Sequence, residues 1–584
     1  MLQIKRQVIK IAGESGQGIN SIGEVVAKAL KESGFYTFGY REYPSLIKGG
    51  YASHQTDFAD HPLNSSSLKA DVLLCFSRVS FHAYLPTLRA EGQVIHMLPQ
   101  LELTETEQHL AKERAIKIAY LAADKLAQEA GGKAIMANVV MVGALWKLMG
   151  LTLDPLKAVI RSEFAKKQNA IQSNIACMKK GYESKLEGLN ILKINFTKTE
   201  KCKDDALLTG NHLIALGAIT AGVRAYFAYP MTPSSSILSY LAQTYHETGM
   251  LVKQIDDEIS VAQMAIGAMF AGTRALVATS GGGFDLMTES VSLSGMTETP
   301  FVCILAQRPG PSTGLPTWTS ASDLNLATYA GHGEFPRCVI AVSDHKSAYT
   351  VIQNAFNIAE KYQIPVIVLT DKLIAESLFQ VEKLADDVAV KRHLVKDSAL
   401  AALKPTYRYK ITSTGISSRW LPGQSDAAYA ANSDEHSADG SITEDAALSL
   451  EMYSKRLRKQ KTLLEELPEP ELIGPQKAQV TLIGWGSVKN TVCDALNLWN
   501  ENYSKKPVNY LHYEYVYPLR LKKLKQLIRK EQSFVLIENN SFAQLGSMLT
   551  AQTGHQFADK LLKFDGRPFF VEELIEYLEK KLLS

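Results

Sequence analysis

The sequence predicts an α/β protein of three doubly wound domains, each built on a mainly parallel sheet. Two observations carry that prediction. Short apolar runs alternate with longer helical stretches along most of the chain, the pattern of a parallel sheet wrapped by helices. Several runs also end in glycine-rich turns that open the next helix. At 584 residues the chain exceeds one hydrophobic core and fits roughly three or four domains.

The first block, residues 1–195, opens on a strand-like run from Gln7 to Ala12, then a glycine turn, then an amphipathic helix around Ile22 to Leu30. Further strands are expected at Phe35 to Tyr40, Val72 to Phe76 and Gln93 to Met97. The second block, residues 205–384, offers strands at Ala225 to Tyr229, Ala275 to Thr279, Phe301 to Gln307 and Pro365 to Thr370. Residues 385–474 break the rhythm as a connecting excursion, rich in Ser, Gly and charge from Ile411 to Thr443, ending in a basic helix around Lys455 to Lys461. That basic run reads first as a solvated helix face, with a coenzyme A phosphate as the distant alternative. The third block, residues 475–584, resumes with strands at Gln479 to Ile483, Val508 to Tyr515 and Phe534 to Ile537.

Composition narrows the function classes. Charged residues make up 21% and the formal charge is only +3, so no global field draws the chain to nucleic acid. The amino terminus lacks the pattern of a signal peptide, and no run of about 18 apolar residues occurs, so a cytoplasmic protein without a membrane segment is expected. The six cysteines are widely separated with no C-x-x-C pair, which argues against a disulfide framework, a zinc ribbon or an iron–sulfur cluster in this chain. His332 and His436 with neighbouring carboxylates show no recognisable ligand spacing, so no metal site is expected here.

Chemistry concentrates between Tyr229 and Asp323. Tyr229-Pro-Met-Thr-Pro-Ser-Ser-Ser follows a strand and precedes a helix, the place where an open parallel sheet binds anionic ligands. A Ser or Thr N-cap on a proline-stiffened turn explains the same residues without a ligand. Asp256-Asp257-Glu258 opens a helix of small residues. The helix dipole accounts for two of the three acids, and a carboxylate against such an apolar helix suits proton sharing with a cofactor nitrogen. Ser280 and Gly281 to Gly283 end another strand. Arg308 ends a third, where its fork of donors is placed to grip a carboxylate or to pair with a neighbouring Asp. Three such ends on one sheet edge favour a site.

Several motifs together resemble the 2-oxoacid:ferredoxin oxidoreductases, specifically an alpha subunit with a gamma domain fused at its amino terminus, as in the 2-oxoglutarate:ferredoxin type. They are Gly-Glu-Ser-Gly-Gln-Gly at 13–18, Tyr-Pro-Ser-Leu-Ile-Lys-Gly-Gly at 43–50, Tyr-Pro-Met-Thr-Pro-Ser-Ser at 229–235 and Asp-Glu at 257–258. Gln-Arg-Pro-Gly-Pro-Ser-Thr-Gly-Leu-Pro-Thr at 307–317, Gly-His-Gly-Glu-Phe-Pro-Arg at 331–337, Asp-Glu-His at 434–436, Gly-Trp-Gly-Ser at 484–487 and Asp-Gly-Arg-Pro-Phe at 565–569 continue the likeness nearly end to end.

The resemblance implies a gamma-type domain at 1–195, the pyrimidine-side domain of a thiamine diphosphate enzyme at 205–384, and a transketolase C-terminal-like domain at 475–584. It implies Glu258 as the catalytic glutamate that hydrogen-bonds the aminopyrimidine, with Ser280 and Gly281 beside the cofactor and Thr232 and Arg308 on the 2-oxoacid carboxylate. The Gly-Asp-Gly pattern that holds magnesium and pyrophosphate is missing from this chain. Mg2+, the 4Fe-4S cluster and the rest of the thiamine diphosphate site are therefore expected on a beta subunit, in a dimer of alpha-beta heterodimers that uses coenzyme A and ferredoxin. Many relatives read Thr-Arg-Thr-Glu-Gln after the Leu-Pro, whereas this chain reads Thr317-Trp318-Thr319-Ser320-Ala321. Pyruvate and branched or aromatic 2-oxoacids therefore stand beside 2-oxoglutarate as substrates, and a non-catalytic scaffold stands beside the enzyme. The Gly13 to Gly18 turn departs from the dinucleotide-binding spacing and reads as a structural turn or a subunit or coenzyme A contact rather than an NAD site.

Overall fold

The computed structural model describes residues 5–46, 49–384, 388–403, 407–424, 428–530 and 532–583. Ile47 and Lys48 of the 43–50 motif lie outside them. The described residues form three sheets flanked by helices. None of their helices is long and apolar enough to cross a membrane.

The first sheet runs in the order Lys117–Tyr120, Leu88–His96, Ala70–Cys75, Gln7–Glu14, Tyr51–Ala59, Tyr36–Glu42, Leu378–Val381, Ala206–Thr209. Its first four strands are parallel. The remaining neighbours pair antiparallel, so this sheet is mixed. Tyr51–Ala59 does not read as a strand from sequence because Ser53, His54, Gln55, Thr56 and Asp57 are all buried, which erases the apolar and polar alternation. The outer two strands come from the two ends of the second block, so the first two blocks share a sheet. Arg41 and Tyr43 reinforce that junction through Glu376, at 3.0 and 2.7 Å.

The second sheet is ordered Tyr515–Tyr517, Cys338–Ala341, Pro365–Asp371, Phe301–Gln307, Ala275–Thr279, Ala225–Ala228, Leu251–Gln254. All pairs are parallel except the edge strand Tyr515–Tyr517, contributed by the third block. Its five inner strands are buried on both faces, which is why they read as continuous apolar runs. Chain order reverses between Ala225–Ala228 and Ala275–Thr279: one connection leaves toward Leu251–Gln254, the other toward Phe301–Gln307. The carboxyl ends at such a switch point flank the usual ligand crevice. The third sheet has four parallel strands, Val508–Tyr513, Val480–Trp485, Ser533–Glu538 and Asp559–Leu562, with Glu471–Ile473 antiparallel at one edge.

The basic helix corrects the sequence reading. It spans Ala446–Glu466, and Lys455, Arg456 and Lys459 are buried rather than solvated. Lys455 and Lys459 each lie 2.5 Å from Glu298, which is itself fully buried. Burial alone would push the Glu298 carboxyl up, but Lys455, Lys459 and Arg408 outweigh it and hold the group below the ordinary carboxylate range. A second buried acid, Glu360, takes Arg274 at 2.6 Å, Arg392 at 3.0 Å and Arg419 at 3.1 Å. Two carboxylates thus tie the 388–466 segment to the second block. Their partners lie far apart in sequence, so no local charge pattern reveals them. Glu298→Ala strands two buried lysines and is expected to cost about 3–5 kcal/mol. Hydrogen exchange across the Ala446–Glu466 helix would register it as lost protection.

Candidate active site

The site lies at the switch point of the second sheet, on the segments after Ala225–Ala228, Leu251–Gln254, Ala275–Thr279 and Phe301–Gln307. After the first strand, the Tyr229 to Ser235 turn is fixed internally and from behind. The Ser234 hydroxyl donates to the Met231 carbonyl at 2.7 Å, and the buried Asn211 amide donates to the Pro233 carbonyl at 2.7 Å. Thr232 is left half-buried at the loop's front. Its backbone carbonyl accepts from Arg308 Nη1 at 2.9 Å, so two of the expected substrate residues meet.

The acid triplet divides its work. Asp257 is the N-cap of the Glu258–Phe270 helix and accepts from the Ser260 N–H at 2.8 Å and its hydroxyl at 3.0 Å. Those hydrogen bonds lower the Asp257 carboxyl below its ordinary range. With the cap supplied, Glu258 is free of that duty. Its side chain is 4% exposed, and Oε1 is buried without a hydrogen-bond partner. It lies against Gly283, where an added Cβ would stand 2.5 Å from Glu258 Oε1 and 2.1 Å from Thr279 Oγ1. Glycine at 283 is therefore what makes room for the carboxylate. Thr279 in turn approaches Met231 Sδ at 3.8 Å, which places the Glu258 wall beside the Thr232 loop.

Ser280 opens the glycine segment with its hydroxyl buried and unpartnered. A Cβ on Gly281 would sit 3.1 Å from Asp323 Oδ2, another buried oxygen without a partner. Burial and the nearby Asp285 push the Asp323 carboxyl up to about 7, against the pull of Arg308. Burial also lowers the Arg308 guanidinium, an effect Asp323 opposes. Sequence reasoning used Asp323 only to mark the end of the segment. The available signal was an acid returning to the sheet edge right after the Arg308 loop.

That loop is held by the other two blocks. Thr317 donates to the Tyr43 carbonyl at 2.7 Å from the first block. From the third block, Gly566 accepts the Thr319 N–H at 3.0 Å, Asn539 accepts that of Ala321 at 2.9 Å, and Arg567 stacks on the Trp318 ring at 3.7 Å. The departing stretch Trp318 to Ala321 is thus ordered, with its polar backbone paired.

Buried polar groups normally find partners. Here Glu258, Ser280 and Asp323 each present an unsatisfied oxygen along one short glycine segment at a switch point, and the cradle leaves no space for a Cβ at Gly283. Such a set fits a cofactor that offers hydrogen-bonding nitrogens, as an aminopyrimidine does. Tyr229, Ile259, Met264 and Leu286 stand 40%, 53%, 41% and 51% exposed on the loops and helices that carry the site residues.

Comparison with known proteins gives the family. Residues 8–184 match the family described as pyruvate ferredoxin/flavodoxin oxidoreductase, and residues 216–455 match the one described as pyruvate flavodoxin/ferredoxin oxidoreductase, thiamine diphosphate binding. A 2-oxoacid:ferredoxin oxidoreductase subunit alpha from Sulfolobus is 32% identical, over 98% of this chain and 96% of that one. The chain belongs to the 2-oxoacid:ferredoxin oxidoreductase alpha subunits. The 2-oxoglutarate oxidoreductase subunit KorA of Mycobacterium tuberculosis is 26% identical over 99% of this chain and 92% of that one. Among solved structures, the 2-oxoglutarate:ferredoxin oxidoreductase of Magnetococcus marinus, with 2-oxoglutarate, coenzyme A and succinyl-CoA bound, superposes with a TM-score of 0.88. It is 28% identical over 99% of this chain and all of that one. The family assignment, the α/β class and the oxidoreductase activity expected from sequence are those of these relatives. As an alpha subunit of this family, the chain works with other subunits.

Proposed function

We propose that this alpha subunit, joined to a beta subunit, carries out the coenzyme A-dependent oxidative decarboxylation of a 2-oxoacid, 2-oxoglutarate foremost, and can run the reaction in reverse. The products are succinyl-CoA, carbon dioxide and reduced ferredoxin. The beta subunit supplies Mg2+, the pyrophosphate contacts and the 4Fe-4S cluster, and the exposed apolar group around Tyr229, Ile259, Met264 and Leu286 is where it covers the site. Two such heterodimers form the working assembly, in the cytoplasm.

The observation that carries this reading is Glu258, a buried carboxylate with one oxygen unsatisfied, set against Gly283 and beside the Thr232–Arg308 pair. Thiamine diphosphate, when bound, supplies the carbon nucleophile and the electron sink for decarboxylation. Glu258 would hold the aminopyrimidine ring through a hydrogen bond at its unsatisfied oxygen and take or return a proton there, and Ser280 and Gly281 would line the same ring. Arg308, already anchored by one nitrogen on the Thr232 carbonyl, offers its remaining donors to the substrate carboxylate. Covering by the beta subunit excludes water, which strengthens each of these interactions.

The relative whose structure holds 2-oxoglutarate favours that substrate, and the Trp318 stretch is what pulls against it. Steady-state assays of the purified complex against 2-oxoglutarate, pyruvate, and branched and aromatic 2-oxoacids decide the matter. The expected outcome is a kcat/KM for 2-oxoglutarate at least about tenfold above the others, about 1.4 kcal/mol of discrimination. A preference for pyruvate or an aromatic 2-oxoacid would overturn the substrate while leaving the reaction class in place. A complex with a competent beta subunit that retains no thiamine diphosphate would favour a scaffold role instead.

A further inference from the structure

Asp323 is the acid at the site to which the mechanism above gives no task. Its backbone N–H donates to Gln307 Oε1 at 2.9 Å, and Gln307 immediately precedes Arg308. Gln544 fixes the residues on either side, donating to the Ser322 carbonyl at 2.6 Å and accepting from the Asn325 N–H at 2.9 Å. Asp323 is thereby locked in register with the strand end that carries Arg308.

The ordinary duties of an aspartate in this position are not performed. It precedes the short Leu324–Tyr329 helix yet makes no side-chain cap hydrogen bond to it. Its Oδ2 is buried and unpartnered, even though Arg308 is near enough to stabilise the charged form. That oxygen is directed at Gly281, where a side chain would press on it. That oxygen thus lies between the Gly281 segment and Arg308, buried and with no hydrogen bond to compensate it among the described residues.

We propose that Asp323 is protonated when the site receives substrate and donates a hydrogen bond from its carboxyl to the carboxylate of the 2-oxoacid, alongside Arg308. This rests on the reading of Arg308 as the carboxylate clamp. Two carboxylates in one partly enclosed site cannot both stay ionised without strong repulsion, so one of them takes the proton. Burial and Asp285 assign it to Asp323, whose carboxyl is pushed up to about 7. The neutral acid then supplies a donor that its ionised form would lack. Deprotonation converts an attractive contact into a repulsive one, so substrate affinity falls as the pH rises past neutrality. The charged groups that act on Asp323 are Asp285 on the Gly281–Leu286 helix and Arg308 after Phe301–Gln307, while Glu258 lies against Gly283, two residues along the same segment.

Calorimetry on the assembled complex, depleted of thiamine diphosphate, tests this without turnover. The probe is whichever of 2-oxoglutarate and pyruvate the intact complex uses, titrated from about pH 5.5 to 8.5. Wild-type affinity should weaken above neutrality, approaching about tenfold per pH unit. Asp323→Asn keeps the shape and a donor but cannot ionise. It should bind within about threefold of wild type at low pH and show no such fall. Asp323→Leu should bind at least about tenfold more weakly at low pH, as expected for a lost hydrogen bond to a charged group. An unchanged pH dependence in Asp323→Asn would place its origin outside Asp323 and overturn the proposal, as would wild-type affinity in Asp323→Leu. Arg308→Met separates the two readings: if it binds as wild type, the clamp reading fails, whereas loss of binding there with unaltered Asp323 variants removes Asp323 alone. Size-exclusion chromatography of each variant complex confirms assembly.

Discussion

Glu258→Gln is expected to lower kcat of the assembled complex by about 10²–10⁴-fold, the usual contribution of a positioned proton-transfer group. Assembly should be unaffected, because Glu258 makes little structural contribution that glutamine cannot make. Asp257 already caps the helix through Ser260, and Glu258 Oε1 has no partner to lose. The amide is close in size and fits the space that Gly283 leaves, so no clash follows. What disappears is the ability to take and return a proton at that oxygen. KM for the 2-oxoacid should stay nearly constant, since the Thr232–Arg308 pair is separate from this carboxylate. Stopped assays over a substrate range, with size-exclusion chromatography to verify the complex, make the measurement. Retention of wild-type kcat would remove Glu258 from the proton path. A fall in kcat accompanied by failure to assemble would instead mark it as an interface residue.

The ends of the second sheet's strands were legible because these strands are buried on both faces and terminate in glycine or proline, so pattern and punctuation agree. The four strand ends that carry Thr232, Glu258, Ser280 and Arg308 follow from that topology. The division of labour between Asp257 and Glu258 was not legible, since either acid has the composition of a cap and only the backbone geometry chooses. Nor was the strand Tyr51–Ala59, whose buried Asp57 is satisfied by Gln55 and the Ser67 N–H, contacts that no period-two pattern can encode. Lys455 and Lys459 looked solvated for a related reason. Their counter-charge, Glu298, lies more than 150 residues away in the chain, and one acid serves both. Asp323 escaped notice because its meaning lies in hydrogen bonds it does not make.

Arg308→Met should raise KM for the 2-oxoacid far more than it lowers kcat, with kcat/KM falling by about 2–5 kcal/mol worth of binding, as when one side of a partly buried charge pair is removed. Methionine fills much of the volume of the arginine stem, so the loop need not collapse. Two donors are lost to different acceptors, however. One is the bond to the Thr232 carbonyl, which fixes the Tyr229 to Ser235 turn against the Phe301–Gln307 strand end. The other set, which the proposed function gives to the substrate, has no acceptor among the described residues. Arg308→Lys separates them. Lysine restores a positive charge but not a planar fork, and it cannot hold the Thr232 carbonyl and grip a carboxylate in bidentate fashion together. If charge alone draws the substrate in, the lysine variant recovers most of the lost kcat/KM. If geometry dominates, it recovers only a small part, and that is the expected result, because burial disfavours any cation here that lacks both partners. A methionine variant with unchanged KM would place the carboxylate of the substrate elsewhere, and the Trp318–Arg567 stack would be the next position to examine.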